Sequence, residues 1–359
     1  MSKTSNITEN KSFLTNIFGL SLEDLQQKLQ TDGIPKFRAK QIWGWLYERG
    51  ICDFAMMTNL PKNLIAYLEE NFYIGNMTVD IEQSSTDGTI KRLYKLRDGQ
   101  LIESVLMPYQ DGRRTACISS QAGCAMKCVF CATGQMGFVR HLQASEIYEQ
   151  AHLYAHQLQK KGERLSNIVL MGMGEPFHNY DEVLKSIHMI QDRLGIGARR
   201  ITISTVGIAP KIRQFAQEGL QVKLAISLHA SQDEIRSPLM PINKKYPISE
   251  LLSACREYVQ KTNRRITFEW ALIAGQNDQA EEAHRLGALL QGLECHVNLI
   301  PLNPTLGYDG SPTSLPQAQQ FVQILQQYKI PATVRVRRGI DIDAGCGQLK
   351  STRQNKEKI

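Results

Sequence analysis

Three of the chain's eight cysteines fall in one short run, Cys124-Ala-Met-Lys-Cys128-Val-Phe-Cys131, a C-x3-C-x2-C spacing. Iron–sulfur clusters are held by thiolates, and a cubane of four irons ordinarily takes four of them. Three thiolates in one loop leave an iron open, as a cofactor needs if it is to chelate the cluster and receive an electron. The alternatives are a plain electron-transfer cluster or a structural zinc site, which wants a fourth protein ligand and more often pairs one C-x2-C with another. Other residues carry weaker signals. Cys346 stands between Gly345 and Gly347; it is either a small residue in a turn or a thiol whose glycine neighbours let it move between two partners. Cys117 alternates in a buried strand pattern, where cysteine behaves as a small hydrophobe. Gly172-Met-Gly174-Glu175-Pro176 reads either as a chain reversal or as a close backbone approach with a carboxylate that can accept from an ammonium. The run 102–107 sets Glu103 among apolar residues, where desolvation raises a carboxyl toward the range of a general base.

The elements that must hold these groups belong to an ordinary globular chain. It has 359 residues, 42 Lys and Arg against 35 Asp and Glu, a net charge of +7 and 42% hydrophobic residues, which excludes a disordered or fibrous chain. Its length suits two domains, or one large barrel with an appendage. Eight cysteines in 359 residues are too sparse for a disulfide-stapled secreted protein. No run approaches the ~18–20 apolar residues of a membrane span, and the start lacks a secretory apolar core. A cytoplasmic location is therefore expected, where thiols stay free for metals or catalysis. The basic residues recur as Lys36, Arg38 and Lys40, as pairs such as Arg113-Arg114 and Arg264-Arg265, and as Arg335, Arg337 and Arg338. Such pairs are usually solvated surface, but their recurrence leaves room for a phosphate-binding face.

The pattern is helical over 22–72, with Ser21 and Asp24 placed as an N-terminal cap and Pro61 placed to open a third helix. Alternating segments at 77–83, 90–96 and 101–107, separated by Asp87-Gly88 and Asp98-Gly99, predict a β-meander. Beyond Thr115, six short apolar runs, at 116–119, 167–171, 200–205, 222–228, 266–273 and 296–299, alternate with helical segments that include 181–194, 210–218, 248–261, 280–291 and 315–328. This rhythm predicts a parallel sheet of right-handed βαβ units. The expected fold class is α/β, with a helical domain over 1–75, a β-meander over 76–112, a barrel over 113–347 and a loose tail over 348–359. The first ten and last nine residues are polar and expected to be loose.

With these motifs in order, the chain resembles the radical S-adenosylmethionine (SAM) superfamily, and within it the RlmN/Cfr family of adenosine methyltransferases over nearly its whole length. The segments that carry the resemblance are, among others, Phe37-Arg-Ala-Lys-Gln-Ile-Trp43, Met57-Thr-Asn-Leu-Pro61, Ile102-Glu-Ser-Val105, Cys117-Ile-Ser-Ser-Gln-Ala-Gly-Cys124, Ser204-Thr-Val-Gly207, Ser227-Leu-His229, Leu239-Met-Pro-Ile-Asn243, Asn298-Leu-Ile-Pro-Leu-Asn303 and Gly339-Ile-Asp-Ile-Asp-Ala-Gly-Cys-Gly347. The resemblance implies a partial (β/α)6 barrel and a [4Fe–4S] cluster held by Cys124, Cys128 and Cys131 with exchangeable SAM on the open iron. It also implies SAM contacts at Gly174, Glu175, Ser204, Ser227, Leu228, His229 and Asn303. Without it, Ser204 is a strand-end hydroxyl and His229 a packed or surface histidine.

The implied reaction methylates an adenine carbon in RNA. One SAM methylates Cys346 to S-methylcysteine; a second, cleaved by an electron to a 5′-deoxyadenosyl radical, removes hydrogen from that methyl, and the methylene radical attacks the ring. Adenine carbons 2 and 8 offer no lone pair for polar methyl transfer, so a radical supplies the missing reactivity. Cys117 matches the thiol that releases the RNA adduct by forming a disulfide with Cys346, and Glu103 matches the proton acceptor; which of the two takes the ring proton stays open. Cys52, Cys255 and Cys295 match no motif and are expected to be packing residues. The helical-domain segments look more like the RlmN branch, so methylation is expected at C2 of an adenosine in 23S rRNA at the peptidyl transferase centre and of the adenosine 3′ of the tRNA anticodon. The alternatives are Cfr-type C8 methylation and, from another class, a non-catalytic RNA-binding Fe–S or zinc protein. The implied partners are 23S rRNA, tRNA, a low-potential electron donor of flavodoxin or ferredoxin type and a thiol reductant, with no membrane and a monomeric chain.

Overall fold

The structure, a computed structural model, describes residues 14–350. The terminal segments expected to be loose, 1–10 and 351–359, lie outside the described residues. The N-terminal domain is closed by a short parallel pair, β1 (Thr15–Asn16) with β2 (Phe72–Tyr73). Helix α1 (Leu22–Thr31) starts at Ser21 as expected: the Ser21 hydroxyl accepts from the Asp24 amide at 3.0 Å and the Asp24 carboxylate accepts from the Ser21 amide at 3.1 Å, satisfying two otherwise orphaned donors. Its buried Leu25 and Leu29 stand one turn apart. Helix α2 (Phe37–Trp43) buries Ala39 and Ile42 and leaves Lys36 and Lys40 exposed. Helix α3 (Lys62–Asn71) follows Pro61, whose fixed φ suits a helix entry.

The strands of the main sheet are β3 (Met77–Ser84), β4 (Ile90–Leu96), β5 (Leu101–Pro108), β6 (Arg114–Cys117), β9 (Asn167–Leu170), β10 (Ile201–Thr205), β11 (Lys223–Ser227), β12 (Ile266–Leu272), β13 (Cys295–Pro301) and β14 (Ala332–Val334). Between β6 and β9, β7 (Gln121–Gly123) and β8 (Phe138–His141) form a separate antiparallel hairpin that the apolar pattern does not mark. The main sheet has ten strands in the order β14-β13-β12-β11-β10-β9-β6-β5-β4-β3. From β6 to β14 every neighbouring pair is parallel, whereas β3 to β6 are antiparallel. The parallel part is thus the six expected strands plus β14, three residues too short to register as an apolar run, and the sheet stays open between β14 and β3.

Helices α4 (Ala132–Met136), α5 (Ala144–Lys160), α6 (Tyr180–Leu194), α7 (Ala209–Phe215), α8 (Asp233–Leu239), α9 (Ile248–Thr262), α10 (Ala280–Leu290) and α11 (Leu315–Gln327) complete the chain. The β-meander extends the barrel sheet, because β5 pairs with β6 through Val105 opposite Cys117. The helical domain is fastened to the barrel by Phe18, edge-on to Tyr148 and His152 of α5, and by Arg193 of α6, which donates to the Phe18 carbonyl at 2.7 Å and the Leu20 carbonyl at 2.8 Å.

Glu149 of α5 is buried at the start of the meander, where it accepts from the Asn76 amide at 2.6 Å. Burial pushes its carboxyl up to about 8, against the lowering effect of the Asn76 and Met77 amides. A carboxyl raised in the folded state favours folding while protonated, and this contribution is lost as pH rises from the ordinary carboxylate range through about 8. Glu149→Gln keeps an acceptor for Asn76, so its melting temperature should gain on the unchanged chain between pH 5 and pH 9 in a pH series of thermal melts; parallel curves would contradict this.

Candidate active site

The parallel strands send their C-terminal ends to one face, where barrel proteins assemble their chemistry. Cys117 closes β6, residues 171–176 follow β9, Ser204 lies in β10, Ser227 closes β11, Glu269 lies in β12 and Asn303 follows β13. The register sets Ser227 opposite Glu269 and Glu269 opposite Asn298, whose amide donates to the Glu269 carboxylate at 2.9 Å.

The loop after β6 is joined to the loop after β9. The Ser119 hydroxyl donates to the Glu103 carbonyl at 2.6 Å and accepts from the Met173 amide at 2.7 Å; Gln121 accepts from the Glu175 amide at 2.8 Å. A Cβ on Gly172 would meet the Ile118 backbone at 2.7 Å, and Gly174, at φ +103, would meet Gln121 at 2.6 Å, so both positions require glycine. Glu175 is buried, its two oxygens accepting from the amides of Phe177 at 2.9 Å and Val206 at 2.8 Å. Burial pushes its carboxyl up to about 7 in spite of these donors, so a cationic ligand would be welcome beside it.

Arg236 of α8 is fully buried and was not foreseen. It donates to the carbonyls of Leu228 at 2.9 Å, Val206 at 2.8 Å and Ser227 at 3.0 Å and to the Asn243 side chain at 2.8 Å, fixing the connections after β10 and β11. The segment 239–243 that follows it was the only sequence signal. His229 stands at φ +58 with its Nδ1 accepting from the Ala271 amide at 2.8 Å, which leaves the proton on Nε2; burial, helped by Arg236, holds its pKa down to about 3 and keeps the ring neutral.

Cys124, Cys128 and Cys131 line one cavity together with Gly174, Glu175, Ser204, Ser227, His229 and Asn303. Leu228 is buried outside this lining and acts through its carbonyl on Arg236. Burial pushes the Cys124 thiol up to about 12 and Cys128 well above its ordinary value. Thiols so desolvated stay protonated until a metal claims them. Among the described residues, no three His, Cys, Asp or Glu side chains gather around a point suited to a single metal ion.

Cys346 lines this cavity too, and it also lines a second one with Cys117, Tyr109, Arg335, Arg337 and Arg338. Cys346 is an exposed residue whose thiol burial nonetheless pushes up, with Arg335 opposing the rise, while Cys117 is buried and pushed up to about 12 by burial and then by Cys346, again against Arg335. The arginines expected only as a basic patch therefore form part of the site, and Arg338 stacks 4.4 Å over Tyr109. The Cys346 loop is anchored at several points: Asp341 accepts from Ser85 at 2.5 Å, the Gly339 amide donates to Asp87 at 3.1 Å, Lys91 donates to the Asp343 carbonyl at 3.3 Å, and the Gly347 carbonyl accepts from the Ala132 amide of α4 at 2.7 Å.

Comparison with known proteins decides the family. Residues 15–74 match the family described as the ribosomal RNA large subunit methyltransferase N-terminal domain, and residues 118–287 match the radical SAM superfamily. The chain is 48% identical over 346 residues to a dual-specificity RNA methyltransferase RlmN of Myxococcus xanthus, covering 96% of each, and 46% identical over 355 residues to a probable one of Geobacillus kaustophilus, covering 98% of this chain and 96% of the relative. The crystal structure of a radical SAM methyltransferase from Sphaerobacter thermophilus superposes with a TM-score of 0.91 at 48% identity, covering 94% of this chain and all of that one. The chain belongs to the RlmN family. The expected radical SAM α/β fold is thereby shown as well.

RlmN-family membership implies SAM and a [4Fe–4S] cluster, and the residues present fit both. The buried Cys124 and Cys128 and the half-buried Cys131 face one cavity from one short loop, and three thiols so placed suit three corners of a cluster. The Asn303 side-chain oxygen is buried without a partner in the same cavity, where it and the buried Glu175 carboxyl suit the polar groups of an amino acid.

In the RlmN-family chain Glu103 is buried with its carboxyl raised, as expected, whereas residues 348–350 and Cys52 sit differently from expectation. Glu103 is buried but lines neither cavity: one carboxylate oxygen lies 3.6 Å from the Lys91 ammonium and the other accepts from the Lys350 amide at 2.8 Å. That contact belongs to residues 348–350, expected as the start of a loose tail but packed into the site, with Leu349 buried and its carbonyl accepting from Thr133 at 2.7 Å. Cys255 and Cys295 are buried packing residues as expected, whereas Cys52 is exposed near His152, its sulfur 4.0 Å from the ring.

Proposed function

We propose that this chain is a dual-specificity RNA methyltransferase that places a methyl group on C2 of an adenosine in 23S rRNA at the peptidyl transferase centre and on C2 of the adenosine 3′ of the tRNA anticodon. One observation carries the reading: Cys346 stands on the wall shared by two cavities, one lined by three cysteines and the SAM-contact positions, the other by a second thiol and a set of guanidinium groups. The names of the relatives supply the substrate class.

Cys124, Cys128 and Cys131 would hold the cluster, and Glu175, Ser204, Ser227 and Asn303 would hold SAM; bound there, the pair supplies methyl groups and an electron-triggered radical. Cys346 carries the methyl on its sulfur toward the second cavity. There Arg335, Arg337, Arg338 and Tyr109 suit a nucleotide, through phosphate contacts and stacking, while exposed Lys36, just before α2, and Lys40 within it offer further phosphate contacts. Cys117 releases the product by forming a disulfide with Cys346, which a thiol reductant must reopen, and the cluster needs a low-potential electron donor. For Glu103 to accept the ring proton, its carboxylate must use a lone pair that the Lys91 ammonium and the Lys350 amide leave open.

The test is anaerobic reconstitution with iron and sulfide, incubation with SAM, a low-potential chemical reductant, a thiol reductant and 23S rRNA fragments or tRNA, and mass spectrometry of the nucleosides. The expected product is 2-methyladenosine from both RNAs. 8-Methyladenosine as the main product would overturn the C2 assignment, and SAM left unconsumed would overturn the enzyme.

A further inference from the structure

Lys91 is a buried lysine, 3% exposed, to which no motif points. An ammonium taken out of water demands partners, and Lys91 has two from distant parts of the chain: the Glu103 carboxylate at 3.6 Å and the Asp343 carbonyl at 3.3 Å. The first follows from sheet register. Lys91 faces Val105 across β4 and β5 while Leu93 faces Glu103, so Lys91 and Glu103 are diagonal neighbours on one face. The second depends on Asp343, a non-glycine residue held at φ +52 in the loop that carries Cys346. This attachment holds the loop on the N-terminal side of Cys346, while Asn303, donating to the Cys346 carbonyl at 3.1 Å, and the Ala132 amide, donating to the Gly347 carbonyl at 2.7 Å, hold it from the barrel side.

We propose that Lys91 is a positioning residue for the RNA step, tying the base of the Cys346 loop to the Glu103 carboxylate so that the carbon-bearing sulfur and the proton acceptor keep a fixed relation. The proposal rests on the function proposed above and adds to it a residue that touches neither cofactor nor RNA. The charged groups facing Glu103 are Lys91 from β4 and Lys350, which presents its amide and its charge from the C-terminal segment. Burial raises the Glu103 carboxyl and Lys91 opposes that rise. Without Lys91 the carboxyl keeps its proton to higher pH, and a step that needs it ionised moves its acidic limb upward.

The experiment uses the full chain with its cluster reconstituted, as Lys91→Met, Lys91→Arg, Glu103→Gln and the Lys91→Met/Glu103→Gln double variant. Two quantities are read: S-methylated Cys346 formed without RNA, by peptide mass spectrometry, and the rate of RNA methylation against pH. Lys91→Met should form methylated Cys346 at the level of the unchanged chain yet methylate RNA at least about tenfold more slowly, within the range general-base catalysis supplies, with its acidic limb at higher pH; Lys91→Arg should recover most of the rate. In the Glu103→Gln background Lys91→Met should add no further loss. The double variant buries no unpaired charge, so it also answers the question if Lys91→Met alone does not fold. An unchanged rate and pH profile, or losses that simply multiply in the double variant, overturn the proposal. If the unchanged chain itself forms no methylated Cys346, the functional reading fails instead.

Discussion

Replacing Cys346 with alanine should abolish RNA methylation while leaving the iron content of the reconstituted protein unchanged. Cys346 is an exposed residue, and the hydrogen bond it accepts from Asn303, at 3.1 Å, goes to its backbone carbonyl, which alanine retains. The loop keeps its anchors at Ser85, Asp87 and Lys91, and the three cluster cysteines are untouched. What disappears is the atom standing between the two cavities. A drop of at least about 10³-fold is expected, the scale on which loss of a covalent nucleophile is felt. Iron and sulfide assays beside a methyl-transfer assay check it; methylated RNA at a rate near that of the unchanged chain would remove Cys346 from the mechanism.

Cys117→Ala should behave differently, accumulating RNA covalently attached to the protein. In the proposed cycle the RNA is joined to the Cys346 sulfur through a methylene carbon. Release requires the Cys117 thiolate to attack that sulfur: the S–S bond forms as the S–C bond breaks, and the electron pair goes to the carbon, which takes a proton. Removing one buried sulfur from the end of β6 costs only about 1 kcal/mol, so the protein should fold and charge Cys346 normally. Denaturing electrophoresis before and after nuclease treatment reads the attached RNA. Recovery of RNA-free, fully active Cys117→Ala protein would end the resolving role. Since Cys117 is held well above the ordinary thiol range by burial, the Arg335 guanidinium that opposes this matters for making the attacking thiolate.

Much of this site was legible because its chemistry is concentrated in short runs. The C-x3-C-x2-C loop, the glycine turn after β9 and the glycine-flanked Cys346 each announce a local constraint, and the alternation of apolar runs with amphipathic helices gave the parallel sheet. What could not be read depends on contacts between distant segments. Arg236 gains its meaning from carbonyls on two other connections, and Lys91 from a strand diagonal and a loop far along the chain. Strand β14 has three residues and exists because β13 offers it an edge. The hairpin of β7 and β8 flanks the cysteine loop, whose cysteines mask any strand period. Residues 348–350 read as a polar tail, yet Leu349 is buried and the Lys350 amide serves a carboxylate 247 positions away.

The anchoring of the Cys346 loop on the turn between β3 and β4 bears on how such an enzyme can be taken apart. Asp341 reaches Ser85 across 256 positions of sequence, and its neighbours repeat the pattern at Asp87 and Lys91. The barrel therefore does not own its working thiol; it shares custody with a meander encoded before it. A barrel transplanted without that meander would carry every cysteine of the two cavities and still lose the footing of Cys346. Meander and loop form a single heritable unit, so a chimera of two relatives should keep both from the same parent.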